Sequence, residues 1–134
     1  KGEPAAQAFR ALSDPTRLRL LGLLRQGEVC VGDLVRLLRL PQPKVSRHLA
    51  YLRRAGLVGR RESGPWSFYA LARPASAFHR QLLRAAWSGL ARMPLAARDV
   101  RALAAIAGAG GCCPPGRGEG AREPGKALRP SRRC

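Results

Sequence analysis

The stretch that most constrains the fold lies between Val31 and Leu71, where two amphipathic segments are joined by only Arg39-Leu40-Pro41 before the hydrophobic period changes. In the first segment, 31–38, Leu34, Leu37 and Leu38 recur at helical spacing. The second, Gln42 to Val58, puts Val45, Leu49 and Leu52 on one face, with Lys44, Arg47, His48, Arg53 and Arg54 largely on the others. Gly56 stops this helix. So short a connection predicts two helices meeting at a tight turn. Beyond Gly56, 57–62 and 66–71 read as two short strands separated by Ser63-Gly64-Pro65. The predicted class is therefore mainly α with a small β-hairpin (α+β), a helix-turn-helix followed by a wing.

That order implies a function. A short helix that presents donors outward and anchors on a few aliphatic residues meets the requirements for reading a DNA major groove. Gln42 suits adenine, Arg47 suits guanine O6 and N7, and Lys44 and Ser46 suit base edges or phosphates. His48 is expected to pack or to bind phosphate. Arg60 and Arg61, near the hairpin tip, are placed for phosphate or the neighbouring minor groove. On an unrelated surface helix the same residues would be solvated charge.

The flanking segments read as support. Residues 4–12 predict a first helix with Ala5, Ala8, Phe9 and Leu12 on one side. Asp14-Pro15 is a helix start, Asp14 as cap and Pro15 in the first turn. The helix it opens, 15–25, directs Leu18, Leu21 and Leu24 to a core and Arg17, Arg19 and Arg25 to water, and ends at Gln26-Gly27. From 75 to 93, Phe78, Leu82, Ala86, Leu90 and Met93 form a stripe widened by Leu83 and Trp87. A small core has little use for so long an apolar helix, so Phe78, Leu82, Trp87 and Leu90 are predicted to pair with a second subunit; the alternative is folding back on the same chain. Pro94 interrupts, and 96–107 predicts one more helix. The predicted organisation is a DNA-binding and dimerisation domain over 1–93, an additional helix over 94–107, and a Gly/Pro/Arg-rich flexible tail with a Cys pair over 108–134.

Four runs in this order, Ala11-Leu12-Ser13-Asp14-Pro15-Thr16-Arg17-Leu18-Arg19-Leu20-Leu21, Cys30-Val31-Gly32-Asp33-Leu34, Pro43-Lys44-Val45-Ser46-Arg47-His48-Leu49 and Ala55-Gly56-Leu57-Val58, with a wing ending Phe68-Tyr69-Ala70-Leu71, resemble the ArsR/SmtB family of bacterial winged-helix repressors. The resemblance covers about 5–90. It implies a homodimer on a palindromic double-stranded DNA operator, released by an inducer that is often a metal or metalloid. Such proteins commonly carry a capping Ser where this chain has Pro41, which has no side-chain acceptor; the reading helix is expected to start later or to lose about 1 kcal/mol.

The inducer site is less complete. Arsenic-responsive members of that family carry Cys-Val-Cys-Asp-Leu where this chain has Cys30-Val31-Gly32-Asp33-Leu34, so one thiol of the pair is kept. A single thiolate does not hold a thiophilic ion. Cys112 and Cys113 are adjacent behind Gly108, Gly110 and Gly111, and Cys134 ends the chain. With Cys30 they offer the three sulfurs that As(III) or Sb(III) takes, and some ArsR-type proteins are similar in using a late Cys-Cys pair. Zinc or cadmium fits less well. The zinc-sensing members need Asp-x-His and a later His, whereas this chain has only His79 in that helix, and its Cys spacings are not those of a zinc ribbon. A thiol-redox switch and an inducer-independent DNA-binding protein are the alternatives.

Bulk properties agree. The net charge of +17 points to a polyanionic partner, although the surplus of Arg, Ala, Gly and Pro also fits G- and C-rich coding, so charge placement carries the argument. No apolar run spans a bilayer and no leader precedes Lys1, which predicts a cytoplasmic chain with reduced thiols and no membrane partner. No nucleophilic triad, phosphate loop or carboxylate pair stands out among eight acidic residues and two His, Asp14 and Glu28 having capping or surface explanations, so no enzyme is predicted. DNA binding is expected to need no cofactor.

Overall fold

The structure is a computed structural model that describes residues 2–108; Cys112, Cys113, Cys134 and the predicted tail lie outside the described residues. The elements are α1 (Pro4–Leu12), α2 (Pro15–Leu24), β1 (Val29–Cys30), α3 (Val31–Leu38), α4 (Gln42–Arg54), β2 (Val58–Ser63), β3 (Trp66–Leu71), α5 (Ala77–Leu90) and α6 (Pro94–Gly108).

Helix α2 is the axis of the core. Asp14 caps it by accepting the N–H of Arg17 at 3.0 Å, and Pro15 sits in the first turn, where its missing N–H costs nothing. Helices α1, α4, α5 and α6 and strand β3 all pack on it. Leu20, Leu21, Leu23 and Leu24 are therefore buried, whereas the spacing had favoured Leu18, Leu21 and Leu24; Leu18 is half-buried. A helix covered on several sides buries more than one stripe. Helix α1 also differs from the expected stripe. Ala8 and Ala11 turn inward, where small side chains permit close approach, and Phe9 is left 57% exposed.

The sheet is antiparallel with order β1-β3-β2. The hairpin register runs from Val58 opposite Leu71 to Ser63 opposite Trp66, leaving Gly64-Pro65 as a two-residue loop. Gly64 takes φ of 57°, which glycine adopts without penalty. Strand β1 was not anticipated. It pairs Val29 with Tyr69 and Cys30 with Phe68, and two residues are too few to show a period.

Helix α5 opens at Ser76, whose Oγ accepts the N–H of His79 at 3.3 Å. Its apolar stripe turns toward its own chain: Leu82, Leu83 and Leu90 are buried, and Trp87 is half-buried beneath Arg25, whose guanidinium lies 4.9 Å from the ring. Leu82 and Leu90, expected to face a partner, are thus already covered. Helix α5 packs on α2, with Leu90 over Gly22, where a methyl group would stand in ordinary contact at 3.5 Å from Leu90 Cδ1.

Helix α6 lies on α2 and α3, and Leu103 enters the main core. Asp99, 5% exposed, receives a two-pronged contact from Arg19, Nε to Oδ2 at 2.8 Å and Nη2 to Oδ1 at 2.9 Å. Arg19 was expected to face water; a buried carboxylate needs a partner, and Arg supplies it bidentately. Among the described residues no helix is long and apolar enough to cross a membrane.

Candidate nucleic-acid interface

The turn between α3 and α4 is set by two residues. Arg39 closes α3 in the left-handed region, with φ of 54°, and donates its N–H to Val35 O at 2.9 Å. Pro41 then caps α4 without a side-chain bond, but its carbonyl accepts from Lys44 N–H at 3.0 Å and Val45 N–H at 3.1 Å. The helix begins at Gln42 all the same, so the missing capping side chain does not delay its start.

Val45, Leu49 and Leu52 fix α4 to the core, fully buried. The remaining faces carry Gln42, Lys44 and Arg47, exposed, with Ser46 and His48 half-buried between them and the core. Arg53 and Arg54 fall in the last turn, where cations complement the helix dipole. Together with Arg60 and Gly59 of β2 they line a concavity between the end of α4 and the wing.

His48 is tied to α2. Its Nδ1 lies 3.3 Å from Arg17 Nη1 and 3.8 Å from Asp14 Oδ2. Burial lowers its pKa below 6.5, Asp14 opposes the shift, and Arg17, Lys44 and Arg47 add to it. His48 is thus neutral near pH 7, with Nδ1 accepting from Arg17 and Nε2 carrying the proton. Because the unfolded chain binds that proton more readily, stability is full above pH 6.5 and declines as pH falls from there through the lower native value. His48→Gln is expected to flatten this decline, measured by urea unfolding between about pH 7.5 and 5.5; an unchanged pH profile would show that another group is responsible.

The wing arginines are engaged within the chain. Arg60 pairs with Glu62 and donates to Ser67 Oγ at 3.2 Å. Arg61 reaches Glu28 with Nη2 at 2.7 Å and Nε at 3.2 Å, and its guanidinium lies 4.5 Å from the Phe68 ring centroid. Glu28 holds Arg61 more firmly charged than usual. Glu28, expected at the surface or in a cap, is 6% exposed. Sequence reasoning missed it, as it missed Arg17 and Tyr51, because their partners lie some thirty residues away.

Cys30 is buried at the N-cap of α3, its Sγ accepting Asp33 N–H at 3.4 Å, and it packs with Phe68 and Trp66. The other proposed sulfurs, Cys112, Cys113 and Cys134, lie outside the described residues. Among the described residues no three His, Cys, Asp or Glu side chains gather as a metal site would require.

The model of the bacterial regulatory proteins of the arsR family matches 14–59, from the cap of α2 into β2. The chain is 47% identical over 70 residues to an uncharacterized HTH-type transcriptional regulator, MJ1325, of Methanocaldococcus jannaschii, covering 52% of this chain and 79% of that one. It is 44% identical over 82 residues to the arsenical resistance operon repressor of Escherichia coli, covering 60% and 70%. Among solved structures, the homodimeric winged helix-turn-helix DNA-binding domain of Mb0332 from Mycobacterium bovis superposes with a TM-score of 0.56 at 27% identity, covering 64% of this chain and 78% of that one. Helix-turn-helix, wing and these relatives agree that the chain belongs to the ArsR family of DNA-binding transcriptional repressors, a family of regulators and not of enzymes.

Proposed function

We propose that this repressor binds a palindromic operator as a homodimer and leaves it when a thiophilic inducer, trivalent arsenic or antimony, binds. The observation that carries the inducer assignment is Cys30 at the start of α3, which packs on α4, in a chain 44% identical to an arsenical resistance operon repressor.

Exposed Gln42, Lys44 and Arg47 are the side chains for base edges, with Ser46 and His48 beside them. The concavity of Arg53, Arg54 and Arg60 suits a backbone phosphate, and Arg61 adds charge to the wing while held by Glu28. Pairing is assigned to the outer face of α1 and α5, where exposed Phe9 meets Phe78 edge-on at 5.5 Å. Trp87, half-buried, borders α5 on the side of α2 and contributes less.

Trivalent arsenic takes three sulfurs, and Cys112, Cys113 and Cys134 are the source of those that Cys30 lacks. Drawing Cys30 toward an ion would take its sulfur out of the α3 cap and away from Phe68. A coupling of about 1–3 kcal/mol would weaken operator binding roughly 5- to 150-fold. A second reading takes thiol oxidation as the signal, with the adjacent Cys112 and Cys113 and the later Cys134 as the thiols that would pair.

Operator binding titrated with arsenite, antimonite, zinc, cadmium and peroxide, on the parent and on single Ser variants of Cys30, Cys112, Cys113 and Cys134, tests both readings. Release by arsenite that disappears in Cys30→Ser is the expected result. Release by peroxide alone would replace the metalloid reading with the redox one.

A further inference from the structure

We infer that Arg17 is a positioning residue for DNA reading: it locks α4 against the end of α1 and so fixes the spacing of the two reading helices in a dimer. The inference rests on the assignments of α4 as reader and of the Phe9 face as the pairing surface.

Arg17 lies in the first turn of α2, half-buried, and its guanidinium is shared between two other elements, α1 and α4. Nε donates to Ala11 O at 2.8 Å, Nη2 to Arg10 O at 3.0 Å, and Nη1 to His48 Nδ1 at 3.3 Å. Its Cζ stands 4.1 Å from the centroid of the Tyr51 ring, which Arg54 also approaches at 5.6 Å.

Each contact has a physical reason. The carbonyls of Arg10 and Ala11 belong to the last turn of α1, which carries the negative end of the helix dipole; Arg10 O also accepts the Ser13 N–H at 3.1 Å and the Ser13 hydroxyl at 2.8 Å, so Arg17 adds to that cap. His48 and Tyr51 are one turn apart on α4 and so present neighbouring groups to one partner. A planar fork with five donors and a stacking face meets all four requirements together. An ammonium keeps the charge but not the fork or the stack.

The consequence is geometric. Phe9, on the pairing face, directly precedes Arg10, whose carbonyl Arg17 holds, and the same cation holds the middle of the reading helix. The angle between pairing face and reader is set at this residue. In a dimer, that angle decides which separation of half-sites both readers reach at once.

The test uses the full chain, operator duplexes with natural half-site spacing or with one base pair inserted, and several salt concentrations. Arg17→Lys is expected to remain dimeric, to lose about tenfold in operator affinity, to keep the salt slope, and to discriminate less between the two spacings. Tyr51→Leu, which leaves the carbonyl bonds intact, is expected to blunt the spacing preference in the same way, and it decides the matter if Arg17→Lys does not fold. Parent-like spacing preference in both variants overturns the inference. So does, in Arg17→Met, which removes the charge, a salt slope lowered by about one, the mark of a direct phosphate contact. Arg47→Ala is the control: if it binds operator like the parent, the reader itself is wrongly assigned, whereas if it alone weakens binding, only the role of Arg17 falls.

Discussion

Arg19→Ala is expected to release α6 from α2 and to destabilise the chain by about 3 kcal/mol, the lower end of what breaking a buried ion pair costs. Asp99 is 5% exposed, and both of its oxygens face the Arg19 guanidinium, which lies eighty residues away in sequence. Removing the cation leaves the Asp99 carboxylate without its partner at a nearly buried position, and undocking the helix is one way it regains water. Undocking also withdraws Leu103 from the core. Urea unfolding gives the loss, and hydrogen exchange across 94–108 shows where it occurs. Replacing both partners by Met and Leu should recover most of the stability, because the seam then buries no charge. If Arg19→Ala unfolds at the parent's urea midpoint, the pair contributes no net stability.

Phe9→Glu is expected to abolish dimerisation and to reduce operator affinity by roughly 10²- to 10⁴-fold, the advantage that two linked half-site contacts have over one. Phe9 is a large aromatic left 57% exposed, and its ring meets that of Phe78 edge-on at 5.5 Å. Such a side chain contributes little to its own fold and much to a surface that covers it, since aromatic rings dominate interface energetics. A carboxylate there would be buried unpaired in the dimer yet solvated in the monomer. Sedimentation at micromolar concentration checks the first effect and operator titration the second. A dimer that survives Phe9→Glu would move the pairing surface elsewhere.

The contrast between these residues shows what the sequence could disclose. The helix-turn-helix was legible because its signals are local: leucines at helical spacing in α3, three residues of turn, Val45, Leu49 and Leu52 in α4, and a glycine before the hairpin. The outward set Gln42, Lys44 and Arg47 followed from the same periodicity. What escaped was the use of charge inside the molecule. Arg17, Arg19 and Arg61 look alike in a chain so rich in arginine, and only folding shows that the first holds α1 to α4, the second meets Asp99 and the third meets Glu28. How α5 divides its stripe between its own chain and a partner was not legible either. Its stripe is apolar enough for a partner, and α2 already covers Leu90. Strand β1 is defined by its neighbour and not by its own two residues.

The sheet order gives that small strand a mechanical meaning. Phe68 stands on the central strand opposite Cys30 on one side and opposite Arg61 on the other, with its ring against the guanidinium. Thiol, ring and cation thus form a single rung across three strands, and the cation is anchored in turn to Glu28, which immediately precedes β1. The path of contacts from Cys30 to the wing is therefore two side chains long, Phe68 and Arg61, and it starts from the same sulfur that caps α3.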